Sequence, residues 1–576
     1  MQHLQSARLH PLHETLDLAI DSAGRPKIGW VGKEHPALTA TCYPVTSLPH
    51  VSALFRDFVQ GPPAPLRRFY SSSCFDQQWM HESPSMDENR RQGIVSLVRD
   101  QNRRLGAGDA TEANLDRLAA GASAVVTGQQ VTLFGGPLLT LLKAATAIRL
   151  AAEASCAGRP HVPIFWLATE DHDFEEVNRI VVPCRSGSSA DLRTLRLPHH
   201  PGPGKPVGNL LLGDDILPVM DQLRQCLGHS AISDAIAKFY TPEATMGSAF
   251  AGLISYIFRD HGLVVIDASS RPFHALASST LRAAIEHAEE FQQALRKRSR
   301  ELEEYGYHAQ VLVSESSSLL FLVDETSGVR HALKKTSRNA WSAASRKYDT
   351  SDLLSILENA PERISPNALL RPVMQDTLLP TAAYVGGPAE IAYFAQSQVI
   401  YQHVLGRNTA VLPRFSATLI EPRLARLLEH YQLTLPDVFT SGEALAQRLG
   451  ARFMPVEAKQ KLSAAGNTLD QELKALTEWM HEQDAALGHA ADIAASKMLY
   501  QMNRLRRLSA NFTLKRNERL RRNADALCHH LFPHGDLQER ALAGVFFLAE
   551  LQSVLPEALV GQALPGCSGH CALKLP

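Results

Sequence analysis

The sequence predicts an α/β protein, with a doubly wound parallel-sheet core interrupted by insertions and followed by a long α-helical coiled coil. Three observations predict it. Short β-branched or apolar runs end in glycine-rich, polar or acidic residues and lead into helix-like segments, the punctuation of parallel strands and crossover helices. The stretch from 268 to 380 is far too long for one crossover, so it holds an insertion. Beyond Pro455 the texture changes to long polar helix with leucines near heptad spacing.

The runs that form the core are Ser123-Ala-Val-Val-Thr127, Val162-Pro-Ile-Phe-Trp-Leu-Ala168, Gly262-Leu-Val-Val-Ile-Asp267, Thr381-Ala-Ala-Tyr-Val385 and Thr409-Ala-Val-Leu412. Between the third and fourth, Tyr307–Val313 and Ser318–Val323 read as strands, and Asp324-Glu-Thr-Ser-Gly328 reads as the hairpin turn leading into Val329–Leu333. Leu197-Pro-His-His-Pro-Gly-Pro-Gly204 is a loop or the entrance to a smaller insertion. In the helical region Leu469, Leu473, Leu476, Met480 and Leu487 are resumed out of register by Met498, Met502, Leu505 and Phe512, which predicts a break near Gly488 to Ala494. An antiparallel hairpin and a stuttered dimeric coiled coil both fit that pattern. The expected organisation is core over 1–180, a helical or mixed insertion over 181–260, a core strand over 261–270, an α+β insertion over 271–380, core again over 381–454, coiled coil over 455–530, and a segment over 531–576, including Val545–Ala549, that packs back on the core.

Composition narrows the function classes. The chain has 576 residues, 45% hydrophobic and 20% charged, which is globular composition. Lys plus Arg number 58 against 59 Asp plus Glu, for a net charge of -1, so no global field attracts nucleic acid or an anionic membrane. The first twenty residues lack a secretion-signal layout, and no apolar run of about 18 residues is present, so a cytoplasmic protein is expected. The 8 cysteines are too sparse for a disulfide framework. Cys567 and Cys571 flank His570 without a second ligand pair and read as a polar tail rather than a zinc site.

Ligands of open parallel sheets bind beyond the carboxyl ends of the strands, so the five strand ends form one candidate site. The first gives Thr127-Gly128-Gln129-Gln130, then Gly135-Gly136-Pro137 opening a helix that carries Lys143; free N–H groups there can receive phosphate or carboxylate. The second gives Glu170-Asp171-His172-Asp173, where carboxylates crowd one imidazole. That cluster reads as a Mg²⁺ site with nucleotide phosphates, a pocket for a substrate ammonium, a general base at His172, or simply a capped helix start. Asp267 ends the third strand. Gly386-Gly387-Pro388 with Glu390 repeats the strand, glycine turn and Pro-opened helix, flanked by Tyr384 and Tyr393. Arg414, with Ser416 and Thr418, is the candidate cationic clamp after the last strand. The P-loop, the GxGxxG fingerprint, the G-x-S-x-G elbow and HExxH are all missing, and no cysteine falls in these loops. The basic stretch from Arg504 to Arg522 reads as the wet face of a helix.

At these same residues the sequence resembles the bacterial family of bacillithiol-biosynthesis cysteine-adding enzymes, BshC. The carriers are Thr127–Gln130 with Gly136-Pro137 and Lys143, Pro163–Asn178 through Thr-Glu-Asp-His-Asp, Arg371–Pro380, Tyr384–Tyr393, Pro413–Thr418 and Gly535–Arg540. The resemblance implies a Rossmann-like core with connective-peptide insertions, distantly similar to class I aminoacyl-tRNA synthetases though without their HIGH and KMSKS signatures. It also implies a coiled coil used in homodimerisation, and ligation of cysteine through its carboxyl to the amine of glucosaminyl-malate. Amide formation from a free carboxylate needs a better leaving group, so ATP or another adenine nucleotide is expected from chemistry as well, with Mg²⁺ as its companion. In that reading the Thr127–Gln130 loop and Gly135–Pro137 hold phosphate or carboxylate, Arg414 and Lys143 stabilise developing negative charge, Glu170, Asp171 and Asp173 bind an ammonium or Mg²⁺, and His172 deprotonates the amine. The rival readings are a nucleotide-regulated scaffold and a nucleotidyltransferase on the same fold.

Overall fold

The five apolar runs line up in one parallel sheet. In the computed structural model, which describes residues 18–20, 26–28, 38–71, 73, 76–184, 191–198, 204–563 and 569–576, its strands are β1 (Ser123–Gln130), β2 (His161–Ala168), β3 (Val264–Ile266), β4 (Thr381–Gly386) and β5 (Ala410–Pro413). Their order is β5-β4-β1-β2-β3, and every neighbouring pair is parallel. Along β2, Val162, Ile164 and Trp166 enter one apolar layer while Phe165 and Leu167 enter the other. A strand covered on both faces has to be apolar throughout, which is why these runs stand out in the sequence.

The winding reverses between β1 and β4, so the crevice at their carboxyl ends is the switch point at which such sheets bind ligands. Two helices leave it: α1 (Leu139–Cys156) after β1 and α3 (Pro388–Leu405) after β4. Pro388 occupies the first turn of α3, and the Gly387 N–H donates to the Glu390 carboxylate at 2.7 Å, so the glycine-proline turn is a capped helix start.

Between β3 and β4 lie α2 (Ala288–Glu304) and an antiparallel sheet of five short strands, Ser317–Val323, Arg330–Ser337, Ala340–Ala343, Arg346–Asp349 and Ile364–Pro366. The expected hairpin turn is closed by Asp324, whose carboxylate accepts from the N–H groups of Thr326 and Ser327 and from the Ser327 hydroxyl. The strand expected over Tyr307–Val313 does not form. Gln396 takes its hydrogen bonds instead, accepting from Val311 N at 2.9 Å and donating to Val311 O at 2.9 Å, so an apolar stretch is tied to a helix rather than to a ladder.

The polar helical region is an antiparallel hairpin of α4 (Val456–Gln483) and α5 (Ala485–Arg516), with His481 Nε2 2.9 Å from Asp492 Oδ2 across it. The break falls at Asp484, not at Gly488 to Ala494. The Asp484 carboxylate caps α5 by accepting from Ala486 N and Leu487 N. Gly488 serves close approach instead: a Cβ there would lie 2.1 Å from the His481 ring.

The chain's last strand also departs from expectation. His570 and Cys571 belong to Gly569–Lys574, the middle strand of a three-stranded sheet between Ala417–Ile420 and Thr39–Pro44, and not to a polar tail. The His570 ring is fully buried between the Ser416 hydroxyl at 2.8 Å and the Thr418 hydroxyl at 2.7 Å. Cys74, Cys567 and most of the loop between Leu197 and Gly204 lie outside the described residues. Val545–Ala549 falls in the helix Gly544–Leu551, packed in the same apolar layer as Leu138 and Leu141. Leu18–Ile20 and Pro26–Ile28 pair antiparallel in a small separate unit. Among the described residues no single helix is long and apolar enough to cross a membrane.

Burial pushes the His570 pKa down from 6.5 to about 4, with Glu539 opposing and Arg414 reinforcing the shift. A depressed histidine leaves stability intact above 6.5 and withdraws it as the unfolded chain, but not the folded one, takes up a proton. We expect this residue to remove about 3 kcal/mol between pH 6.5 and 4. Denaturant unfolding of wild type and His570→Gln across that window checks this; equal pH slopes in the two proteins would contradict it.

Candidate active site

The crevice between β1 and β4 holds a buried ion cluster. Lys143, in the second turn of α1, reaches back under the strand ends, where its ammonium donates to Gly128 O at 2.8 Å and Gln129 Oε1 at 2.9 Å and pairs with Glu390 at 2.5 Å. Glu390 also accepts from the Tyr384 hydroxyl at 2.6 Å. Arg371, opening the helix Arg371–Leu378, donates to the Tyr393 hydroxyl at 2.6 Å and lies 3.4 Å from that of Tyr384. Burial drives the Lys143 pKa below the ordinary lysine value although Glu390 works the other way. For Glu390 burial is outweighed: Lys143, the Gly387 N–H and the Tyr384 hydroxyl hold its carboxyl below the usual value. Tyr393 is pushed up to about 12 by burial, against the pull of Arg371.

Arg414 stands beside this cluster. Its backbone N–H donates to Gly386 O at 2.9 Å, and its guanidinium pairs at 2.5 Å with Glu539, which comes from the short helix Gln538–Ala541 far along the chain. Glu539 is also held by the Ser416 hydroxyl at 3.0 Å and by Ala417 N at 2.8 Å, and its pKa lies below the usual carboxylate value because Arg414 overcomes the cost of burial.

A second, more open group forms at the end of β2. Gln130 donates through one amide nitrogen to Asp171 at 2.5 Å and Glu176 at 3.0 Å. Glu170 pairs with the buried His274 at 3.0 Å. Burial resists charging that imidazole, yet Glu170 and the Ile364 carbonyl, 3.0 Å from Nδ1, raise its pKa above the ordinary value. His172 keeps 40% of its side chain exposed. Its Nδ1 is 3.3 Å from Arg330, whose guanidinium is fixed by Ser365 Oγ at 2.9 Å and Pro366 O at 2.7 Å and lies 3.8 Å over the Phe321 ring. An arginine can only donate, so Nδ1 is the acceptor in this contact. Arg330 is thus a residue of the inserted sheet that reaches the core's strand end.

The strand ends therefore gather Gly128, Gln129, Lys143, Tyr384, Gly386, Gly387, Glu390 and Arg414 in one group and Gln130, Glu170, Asp171 and His172 in the next. Thr127 instead latches the two central strands, its hydroxyl donating to Val385 O at 2.9 Å. Asp267 accepts from the Thr169 hydroxyl at 2.6 Å and fixes the turn after β3. Asp173 caps the helix Phe174–Val177, which is the structural role foreseen for that segment. Ser416 points to Glu539 and His570. Gly135 and Gly136 do not form an open anion cradle: they occupy a buried turn with φ of 82° and 73°. The N–H groups of Gly135, Gly136 and Leu138 are taken by the Thr132, Leu133 and Leu542 carbonyls. Arg371, Arg330, His274 and Glu539 escaped the sequence reading as site residues. Arg371 and Glu539 lie within motifs that carried the resemblance, whereas nothing local marks His274 or Arg330.

A decorated, doubly wound parallel sheet with a buried ion cluster at its switch point, joined to a helical C-terminal domain, defines an α/β enzyme of the Rossmann-like class. Residues 39–415 match the N-terminal Rossmann-like domain of bacillithiol biosynthesis BshC, and residues 417–575 match its C-terminal coiled-coil domain. A protein of Koribacter versatilis named "Putative cysteine ligase BshC" is 39% identical over 93% of this chain and 99% of its own length. Proteins of the same name from Solibacter usitatus and Salinibacter ruber are each 34% identical, over 92% and 83% of this chain and 98% and 88% of theirs. The chain belongs to the BshC family of bacillithiol biosynthesis.

Breaking one side of a buried ion pair leaves the other charge uncompensated, so Lys143→Met and Glu390→Gln should each cost about 3–5 kcal/mol. The double variant should cost clearly less than the two together. A denaturation double-mutant cycle checks this, and additive costs would contradict the pairing.

Proposed function

We propose that the protein ligates cysteine, through its carboxyl group, to the amine of glucosaminyl-malate in the cytoplasm, with an adenine nucleotide as activating co-substrate. The observation that supports this reading best is the half-exposed His172 at the mouth of the sheet, set between carboxylates and the fixed guanidinium of Arg330. Amide synthesis needs an amine stripped of its proton beside an activated carboxyl group.

The residues suit such a nucleotide. Around the Gly386-Gly387 turn, Lys143, Arg371 and Arg414 face the carboxylates Glu390 and Glu539, a surplus of positive charge that favours an anion. A Cβ at Gly387 would meet nothing closer than Glu390 Oε2 at 3.5 Å and Arg414 Nε at 3.6 Å, so backbone and cations stay within reach of a ligand. The nucleotide would supply the leaving group that a free carboxylate lacks. Asp171 and Glu176, drawn together by the Gln130 amide, are the pair a Mg²⁺ ion or a substrate ammonium would take over. His172 acts as base through Nδ1, which exchanges the long contact with Arg330 for the amine. Arg330 keeps its place through Ser365 and Pro366.

The helical hairpin supports a homodimer. Leu476, Trp479, Leu487, Ile493, Met498 and Tyr500 are exposed on α4 and α5, a set of large apolar side chains that a second copy would cover.

Mass spectrometry of the purified protein with glucosaminyl-malate, cysteine, ATP and Mg²⁺, each omitted in turn, tests the reaction. Product at the mass of bacillithiol, lost without ATP, is expected; pyrophosphate release with no cysteine requirement would assign a nucleotidyltransferase instead. His172→Ala should lower turnover by about 10²–10⁴-fold with little change in cysteine binding. Unchanged turnover in the folded variant would remove His172 from the mechanism.

A further inference from the structure

Away from the sheet's carboxyl edge, the helix pair α2 and α3 brings two imidazoles and a carboxylate together. His287 is the junction residue between the helix Ser278–Glu286 and α2, with its N–H donating to Ala283 O at 2.9 Å and its carbonyl accepting from Phe291 N at 3.0 Å, so its backbone is held on both sides. Glu290 follows one turn later, with Oε2 3.3 Å from His287 Nδ1. His403 comes from the last turn of α3 and completes the group: one ligand atom from each of the three residues lies within 4.8 Å of the others.

The two rings are placed by packing rather than by each other's charge. The buried Phe291 meets the His403 ring edge-on at 4.9 Å and the His287 ring at 6.2 Å, and the two imidazoles stand 4.7 Å apart at 57°. Two imidazole nitrogens and one carboxylate oxygen are borderline ligands, suited to a late first-row divalent ion and poorly suited to Mg²⁺ or Ca²⁺, which take oxygen sets. Metal–ligand bonds of about 2.0–2.2 Å put tetrahedral ligand atoms about 3.3–3.6 Å apart. The His287–Glu290 edge already has that length, and the exposed Glu290 side chain has rotamer freedom to close the rest.

We propose that His287, Glu290 and His403 bind a divalent transition-metal ion, with Zn²⁺ the preferred occupant and the fourth position open to water. The ion clips α2, an element of the long insertion, to the carboxyl end of α3, whose opposite end carries Glu390 of the ion cluster. The site shares no residue with the ligation machinery.

Full-length protein stripped of metal with a chelator and titrated with Zn²⁺ in a calorimeter tests the site. Wild type should bind one equivalent at micromolar or tighter affinity, and that equivalent should weaken about tenfold or more in His403→Phe, which keeps an aromatic ring against Phe291, and in Glu290→Gln, whose exposed position spares the fold. Zn²⁺ should raise the thermal midpoint of wild type and not of His403→Phe. Wild type that binds no Zn²⁺ in this range, or binding and midpoint shifts shared equally by the variants, would overturn the proposal.

Discussion

Lys143 and Glu390 meet at 2.5 Å in the crevice where the central sheet reverses its winding. Two charges withdrawn from water are tolerable only if each also finds hydrogen-bonding partners, and that requirement dictates much of what surrounds them. The Gly128 carbonyl and Gln129 amide at the end of β1, the Gly387 N–H at the start of α3 and the Tyr384 hydroxyl on β4 are all spent on this pair. The strand ends are thereby locked in register with the two helices that leave them. Arg371 and Arg414 stand in the next layer, each held by one group of β4, the Tyr384 hydroxyl or the Gly386 carbonyl, and by one from outside the sheet, the Tyr393 hydroxyl or the Glu539 carboxylate.

Much of the core was legible because both-face burial writes continuous apolar strands, and because a strand followed by Gly-Pro or by a cluster of acids fits little besides a turn into a helix. The same logic failed at Tyr307–Val313, where the apolar pattern is right but the backbone's partner is the side chain of Gln396, over eighty residues away. It also failed at Gly488. Glycine reads as a helix breaker, yet here it admits the His481 ring, while the actual break lies at an aspartate whose capping role depends on the residues after it.

The site divides along similar lines. Residues carried on strand ends, from Gly128 to Glu390, follow once the strands are placed. Which of them face a ligand and which hold the scaffold does not, since Thr127, Asp173 and Asp267 have the same sequence context as their neighbours and spend their polar atoms on strand latching, capping and turn closure. The partners that set the electrostatics came from elsewhere: Arg330 from the inserted sheet, His274 from the helix after β3, and Glu539 from the C-terminal region. Residues so far apart in sequence carry no periodicity that could link them.

The central position of Gly569–Lys574 bears on how the molecule is made. Because this strand joins Thr39–Pro44 to Ala417–Ile420, Thr39–Pro44 has no ladder partner among the described residues until synthesis has passed residue 574. Thr39–Pro44 waits as an exposed edge while more than five hundred residues emerge, a state that favours association with other nascent chains. Closing the ladder also places the buried His570 ring against Ser416, so the backing of the arginine-bearing loop is assembled after the sheet strands have been made. The order of synthesis itself thus delays the site: the sheet that feeds it can form early, but its far wall is set only when segments more than five hundred residues apart in sequence meet.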